Sequence, residues 1–261
     1  MVWKLEDPQG NEAAKCKFDV LPFIGASGMD LGCGPNKIFE HFLGIDSGVD
    51  TQLFGIAMKP DIVVPDCARM RMFADGCVET VFSSHTLEHI EDYRAALAEW
   101  WRLVAVGGHL ILYLPHRDLY PRIGTPGANP DHKHDFAPED IVGAMRAIGN
   151  DWDLLVRDTR AGGREYSFLQ VYQKTAGEGR GEAALLTRPE KSVGIVRPGA
   201  YGDSLWGSSV AAAYKAQGYH VTVYTGPAGA EVLQHDPNID RLIHLRGHWF
   251  RDDDWLLYYL W

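Results

Sequence analysis

Three carboxylates sit at the ends of short apolar runs. Asp30 lies in Gly28-Met29-Asp30-Leu31, Asp46 follows Phe42-Leu43-Gly44-Ile45, and Asp66 closes Asp61-Ile62-Val63-Val64-Pro65. Gly32 and Gly34 follow the first run, and together they make a turn that a ligand can approach closely, because two Cβ atoms are missing. A strand running into such a turn, with acids at the strand ends, has the layout of a nucleotide-type pocket. A carboxylate only accepts hydrogen bonds and has two oxygens, so Asp46 suits a pair of vicinal ribose hydroxyls. The dinucleotide pattern G-x-G-x-x-G fails at its third glycine, where Lys37 stands, and this argues against NAD or FAD.

Histidines supply the other chemistry. His85-Thr86-Leu87-Glu88-His89 has H-x-x-E-H spacing, a zinc-hydrolase pattern that needs both histidines on one helix face and a ligand from a second helix. His85 ends an apolar run that reads as a strand, so this geometry is not expected. A second group, Asp131-His132-Lys133-His134-Asp135, lies in a proline-rich loop from Leu119 to Pro138. Long loops in compact domains are often functional, and a lid is one reading. With no closed ligand set visible, no metal is expected and chelators should leave binding unchanged.

The elements that position these residues follow from periodicity. A lead-in helix is expected over residues 11–22, then strands at 28–31, 42–46 and 61–66, and a fourth from Val78. A helix over 91–104 ends before Gly107-Gly108, followed by a strand at 109–114, a helix from Pro138 to Ile148, and two closing strands at 152–156 and 165–172. Residues 175–190 hold three glycines and little periodicity, and read as a linker. Beyond them the order is β-α-β-α-β over residues 192–244.

Asp30-Leu31-Gly32-Cys33-Gly34 resembles the first motif of the class I S-adenosylmethionine methyltransferases. Phe73-Ala74-Asp75-Gly76-Cys77, the strand from Val78 and Leu87-Glu88-His89 resemble that family's next motif, and Leu103 to Leu114 its step into the fifth strand, with Val106 replacing the usual proline. The resemblance covers residues 11–174. It implies a Rossmann-like α/β fold with a seven-stranded sheet and S-adenosylmethionine as cofactor. Asp30, Gly32, Gly34 and Asp46 would bind it, with Asp66, Cys67 and Ala68 meeting the adenine and Ser84 and His85 lining the pocket. A base near neutral pH would come from His116 or His134, with Asp131 or Asp135 orienting it.

Ile195-Val196-Arg197-Pro198-Gly199-Ala200-Tyr201-Gly202-Asp203 resembles the opening of the heptosyltransferase-like glycosyltransferases, in which the acceptor-side carboxylate falls on Asp203. Their nucleotide-sugar-binding half has no counterpart here, so this unit reads as a partial GT-B-like domain. The expected organisation is a methyltransferase domain at 1–175, a linker at 176–190 and a partial α/β domain at 191–261. The function this implies is O-methylation of a sugar or other small hydroxyl acceptor in glycan biosynthesis. A glycosyltransferase-related protein and a non-catalytic scaffold that keeps the cofactor fold are the alternatives.

With 261 residues, one or two domains are expected. A net charge of −10 argues against nucleic acid or an anionic membrane as the main partner. No apolar run spans a bilayer and no secretory leader is read at the N-terminus. The four cysteines, at 16, 33, 67 and 77, form no C-x-x-C pair, which fits reduced thiols and a cytoplasmic location. The aromatic C-terminal segment, with Trp249, Trp255 and Trp261, offers a surface for homo-oligomerisation.

Overall fold

The computed structural model describes residues 11–48, 60–186, 191–197 and 201–244. The chain divides into two compact units, one over residues 1–38 and 42–186, the other over residues 187–261 with 39–41.

The first unit is built on seven strands: β1 (Gly28–Leu31), β2 (Leu43–Asp46), β3 (Ile62–Val63), β4 (Val78–Ser84), β5 (Val104–Pro115), β6 (Trp152–Thr159) and β7 (Ser167–Lys174). Their order is β3-β2-β1-β4-β5-β7-β6. β1 to β5 run parallel to one another, while β7 is antiparallel to both β5 and β6. β1 is buried along its length because it is central and covered on both faces, and it therefore reads as an unbroken apolar run around Asp30. The strand order reverses at β1/β4, and the ends of these two strands open a crevice at that point.

The third strand is shorter than expected. Two residues pair with β2, and Pro65, which has no N–H to donate, ends the ladder. The lead-in segment is also broken, into a 3-10 turn at Glu12–Lys15, the helix α1 (Lys17–Val20) and a second 3-10 turn at Leu21–Phe23. α2 (Tyr93–Leu103) starts on Asp92, whose side chain accepts from the Ala95 N–H. It buries Ala96, Leu97, Trp100 and Trp101 in the core beside Leu110, Leu112 and Leu114 of β5. Each such fully buried large side chain contributes about 1.5–3 kcal/mol. The chain enters β5 directly after α2. Gly108 is required within this strand, because a Cβ there would lie 2.4 Å from the Glu79 carbonyl oxygen. α3 (Pro138–Ile148) opens on a proline whose missing N–H needs no partner.

Residues 176–190, read as a linker, run beside β6 over part of their length. Asp153, on β6, accepts from the Arg180 amide at 2.6 Å and from its guanidinium at 2.7 Å, and the Leu186 N–H donates to the Leu155 carbonyl at 2.9 Å.

The second unit contains β8 (Ser192–Arg197), α4 (Tyr201–Lys215), β9 (His220–Thr225), α5 (Pro227–Leu233) and β10 (Arg241–His244). Its three strands are parallel, in the order β10-β9-β8, over a small core of Ala211, Val221, Val223 and Leu233. Asp203 falls in α4, and its side chain lies outside the described residues, as do Trp249, Trp255 and Trp261. No helix among the described residues is long and apolar enough to cross a membrane.

Candidate active site

A cavity of about 1120 Å³ opens at the carboxyl ends of β1, β2 and β4. Asp30, Gly32, Gly34, Asp46, Asp66, Cys67, Ala68, Ser84 and His85 all line it. Gly32 has φ +73, in the left-handed region, and a Cβ there would lie 2.0 Å from Thr86 Oγ1. The glycine turn is therefore packed directly under the segment that follows β4.

The acids fix this turn. Asp30 Oδ2 accepts from the Ile38 N–H at 2.7 Å. Burial pushes the Asp30 carboxyl up to about 7, with that hydrogen bond and Lys37 partly opposing the shift. Asp46 Oδ2 accepts from the Gly34 N–H at 3.0 Å and Oδ1 from the Gly48 N–H at 2.9 Å. Each oxygen keeps a lone pair for a ligand hydroxyl. Asp66 is more open, and its Oδ1 caps the Ala68 N–H at 2.9 Å. Burial pushes the Cys33 and Cys67 thiols up to about 12, which disfavours the thiolate.

The wall beyond β4 carries imidazoles. His85 has φ +50, a strained conformation for a residue other than glycine. Its N–H donates to the Tyr113 carbonyl at 2.9 Å and its Nε2 lies 2.9 Å from Ser167 Oγ. Burial holds its pKa down to about 3, so the ring is neutral. Next comes the 3-10 turn Leu87–His89. Glu88 is 0% exposed, and burial pushes its carboxyl up to about 8. His132 approaches from the loop after β5, with its Nε2 3.9 Å from Glu88 Oε1. Burial pulls the His132 pKa down to about 4.

His116 and His134, the expected base candidates, are not among the lining residues. His116 Nδ1 accepts from the Asp118 N–H at 3.1 Å. His134 Nε2 lies 3.0 Å from the Ile90 and Glu91 carbonyls, so it buckles the loop onto the turn. Of the two residues named as orienters, Asp131 lines the cavity and Asp135 instead accepts from the Ile123 N–H at 3.1 Å. Glu88, His89, Tyr120 and Tyr166 line the cavity without having been read as site residues. The signal available for Glu88 and His89 was their place in the H-x-x-E-H string.

The comparisons bear on this geometry. Residues 29–112 match the family model of a methyltransferase domain. The cofactor of that domain is S-adenosylmethionine. The matched stretch holds β1 through most of β5, and so carries the glycine turn, all three strand-end acids and the Glu88 turn. Among solved structures the chain is similar to an S-adenosylmethionine-dependent methyltransferase from Archaeoglobus fulgidus, at 16% identity and TM-score 0.45, covering 62% of this chain and 92% of that one. It is similar also to one from Mesorhizobium loti, at 15% identity and TM-score 0.45, covering 63% and 99%. A third is the complex of the Haloferax volcanii Trm112 methyltransferase activator with a methyltransferase, at 15% identity and TM-score 0.47, covering 62% and 89%. No curated protein matches the chain.

Proposed function

We propose that the first unit transfers a methyl group from S-adenosylmethionine to a hydroxyl of a sugar or other small acceptor. The observation that carries this reading is the size and two-sided character of the cavity. A drug-sized ligand fills roughly 300–1,000 Å³. At about 1120 Å³ there is room for a nucleoside cofactor along the acids of β1 and β2 and for a second molecule beside it. The second molecule would meet Glu88, His89, Tyr120, Asp131 and His132, a wall rich in hydrogen-bonding groups, which suits a hydroxylated acceptor.

The donor's sulfonium carbon is already electrophilic, so the protein has to align the acceptor oxygen near 3 Å from it and remove one proton. In this reading Asp46 holds the ribose, Asp66 with Cys67 and Ala68 faces the adenine, and the Glu88–His89–His132 cluster faces the acceptor hydroxyl. The glycan side of the proposal leans on the second unit, whose parallel β-α-β-α-β order, and the sequence motif that ends at Asp203, suit a glycosyltransferase-like partial domain. The proposal keeps a cytoplasmic location.

The test is incubation of the full chain with methyl-labelled S-adenosylmethionine and a panel of sugars, nucleotide sugars and small amines. Label in an ether of a hydroxyl acceptor, matched by equimolar S-adenosylhomocysteine, is expected. Label carried only by amines, or by no acceptor while the cofactor binds, would overturn the hydroxyl reading.

A further inference from the structure

Glu88 is fully buried, and neither of its carboxylate oxygens has a hydrogen-bond partner in another residue. Among the described residues it pairs with no lysine or arginine. The nitrogens that face Oε1 are His85 Nδ1 at 3.8 Å, His89 Nε2 at 3.9 Å and His132 Nε2 at 3.9 Å. A carboxylate buried without compensation costs several kcal/mol, so a protein that keeps one surrounds it with donors or with a cation. These nitrogens are too far for hydrogen bonds, which span about 2.7–3.2 Å. Their spacing leaves room for an ion bonded to both sides. Ligands on a tetrahedral zinc, with bonds of about 2.0–2.1 Å, sit roughly 3.4 Å apart. One ligand atom each from Glu88, His89 and His132 lies within 4.8 Å of the others, so modest side-chain rotation closes the set.

The convergence is built by the backbone. The Lys133 and His134 N–H groups both donate to the Glu88 carbonyl, at 2.7 and 3.2 Å. His134 Nε2 anchors the same loop on the Ile90 and Glu91 carbonyls. These bonds fix the loop's register and set His132 against Glu88. The His132 ring also packs edge-on to His89, with centroids 4.8 Å apart. Outer contacts that orient ligands in this way are a regular part of metal sites.

We propose that Glu88, His89 and His132 bind one divalent first-row transition-metal ion through two imidazole nitrogens and one carboxylate oxygen. Imidazole ligands favour zinc, cobalt, iron or nickel over calcium, magnesium and manganese, which suit oxygen. Three protein ligands leave a coordination position open, and the cluster lines the cavity that the strand-end acids share. The ion's role, though not its site, rests on the methyltransferase reading. The acceptor oxygen would bond the ion and release its proton to water. A C–O bond would then form as the C–S bond breaks, with the electron pair staying on sulfur.

The experiment titrates the chelator-treated full chain with Co²⁺ and, separately, with Zn²⁺, reading visible cobalt absorption and thermal melts. One ion per chain is expected, with the low-coordinate cobalt spectrum and a raised melting temperature. Glu88→Gln replaces the buried carboxyl with a neutral group of the same shape, so it should fold and melt close to the metal-free wild type, yet take up no ion. His89→Asn, at a half-exposed ring, should also fold and lose uptake. No uptake by the folded wild type, or uptake unchanged in both variants, would overturn the site. S-adenosylhomocysteine binding, measured on the same samples, separates the two readings. Cofactor binding without metal sinks this site alone, and metal binding without cofactor sinks the proposed function alone.

Discussion

Asp46 is the residue on which the cofactor assignment turns, and Asp46→Ala is the perturbation that exposes it. The carboxylate is 8% exposed and accepts the Gly34 and Gly48 N–H groups, one on each oxygen. Hydrogen bonds to a charged group contribute about 1.5–3 kcal/mol each. Both amides are only half-buried, so water replaces part of the loss and the low end applies, near 3 kcal/mol of stability for the pair. Cofactor binding loses a further interaction of the same kind with the ribose hydroxyls. At 1.4 kcal/mol per decade, 1.5–3 kcal/mol weakens binding about 10- to 150-fold. Asp46→Asn sharpens the test. Its amide keeps one acceptor oxygen but turns an NH₂ toward either Gly34 or Gly48, donor against donor, so binding should fall almost as far. The assay is calorimetric titration with S-adenosylhomocysteine well below each variant's melting temperature, with circular dichroism to show the fold is kept. A folded Asp46→Ala protein that binds as tightly as wild type would refute the ribose role and leave Asp46 as a brace for the turn.

Gly32→Ala places a methyl group 2.0 Å from Thr86 Oγ1 at φ +73, so it should lower stability by more than the ~1–2 kcal/mol of left-handed backbone and abolish cofactor binding; a wild-type melt would contradict this. Asp30 gives a pH signature. Its folded pKa is raised to about 7, so its contribution to stability is full below the unfolded value near 4 and is lost as pH rises to about 7, up to about 4 kcal/mol. Asn cannot ionise and still accepts from Ile38, so Asp30→Asn should gain on wild type as pH rises from about 4 to about 7 in denaturant melts, and a flat difference would refute it. A fragment of residues 1–186 should melt above one of residues 1–175, because the longer one keeps the Arg180 amide bond to buried Asp153, at roughly 1.5–3 kcal/mol, and its exposed guanidinium adds at most about 1 kcal/mol; equal melts would show that the segment beside β6 contributes nothing.

The parts of this molecule that are local in the chain could be read from it. β1 and β4 are apolar runs with turn chemistry behind them, so the crevice at their ends and its three acids were legible before any coordinates. The wall that carries Glu88, His89 and His132 was not. The spacing in H-x-x-E-H pairs His85 with His89 only if the segment is helical. Here a left-handed residue at His85 and a three-residue 3-10 turn replace the helix, and Glu88 turns inward to His132. That meeting depends on a loop about 44 residues downstream docking on the Glu88 carbonyl, which no periodicity encodes. His116 and His134 sit among ligand-like neighbours in sequence, and only the fold reveals that backbone groups hold their rings. Residues 176–186 read as a linker because they are glycine-rich, whereas their hydrogen bonds to β6, from backbone amides and the Arg180 side chain, are not reported by composition.

The central claim is that the crevice at β1/β4 is a binding site for S-adenosylmethionine. Calorimetric titration of the full chain with S-adenosylmethionine, and with NAD as comparison, tests it most directly. The account predicts one S-adenosylmethionine site per chain, displaced by S-adenosylhomocysteine, weakened by Asp46→Ala, and no saturable heat with NAD. A folded protein that gives no heat and no thermal shift with S-adenosylmethionine, or that prefers NAD, would contradict it.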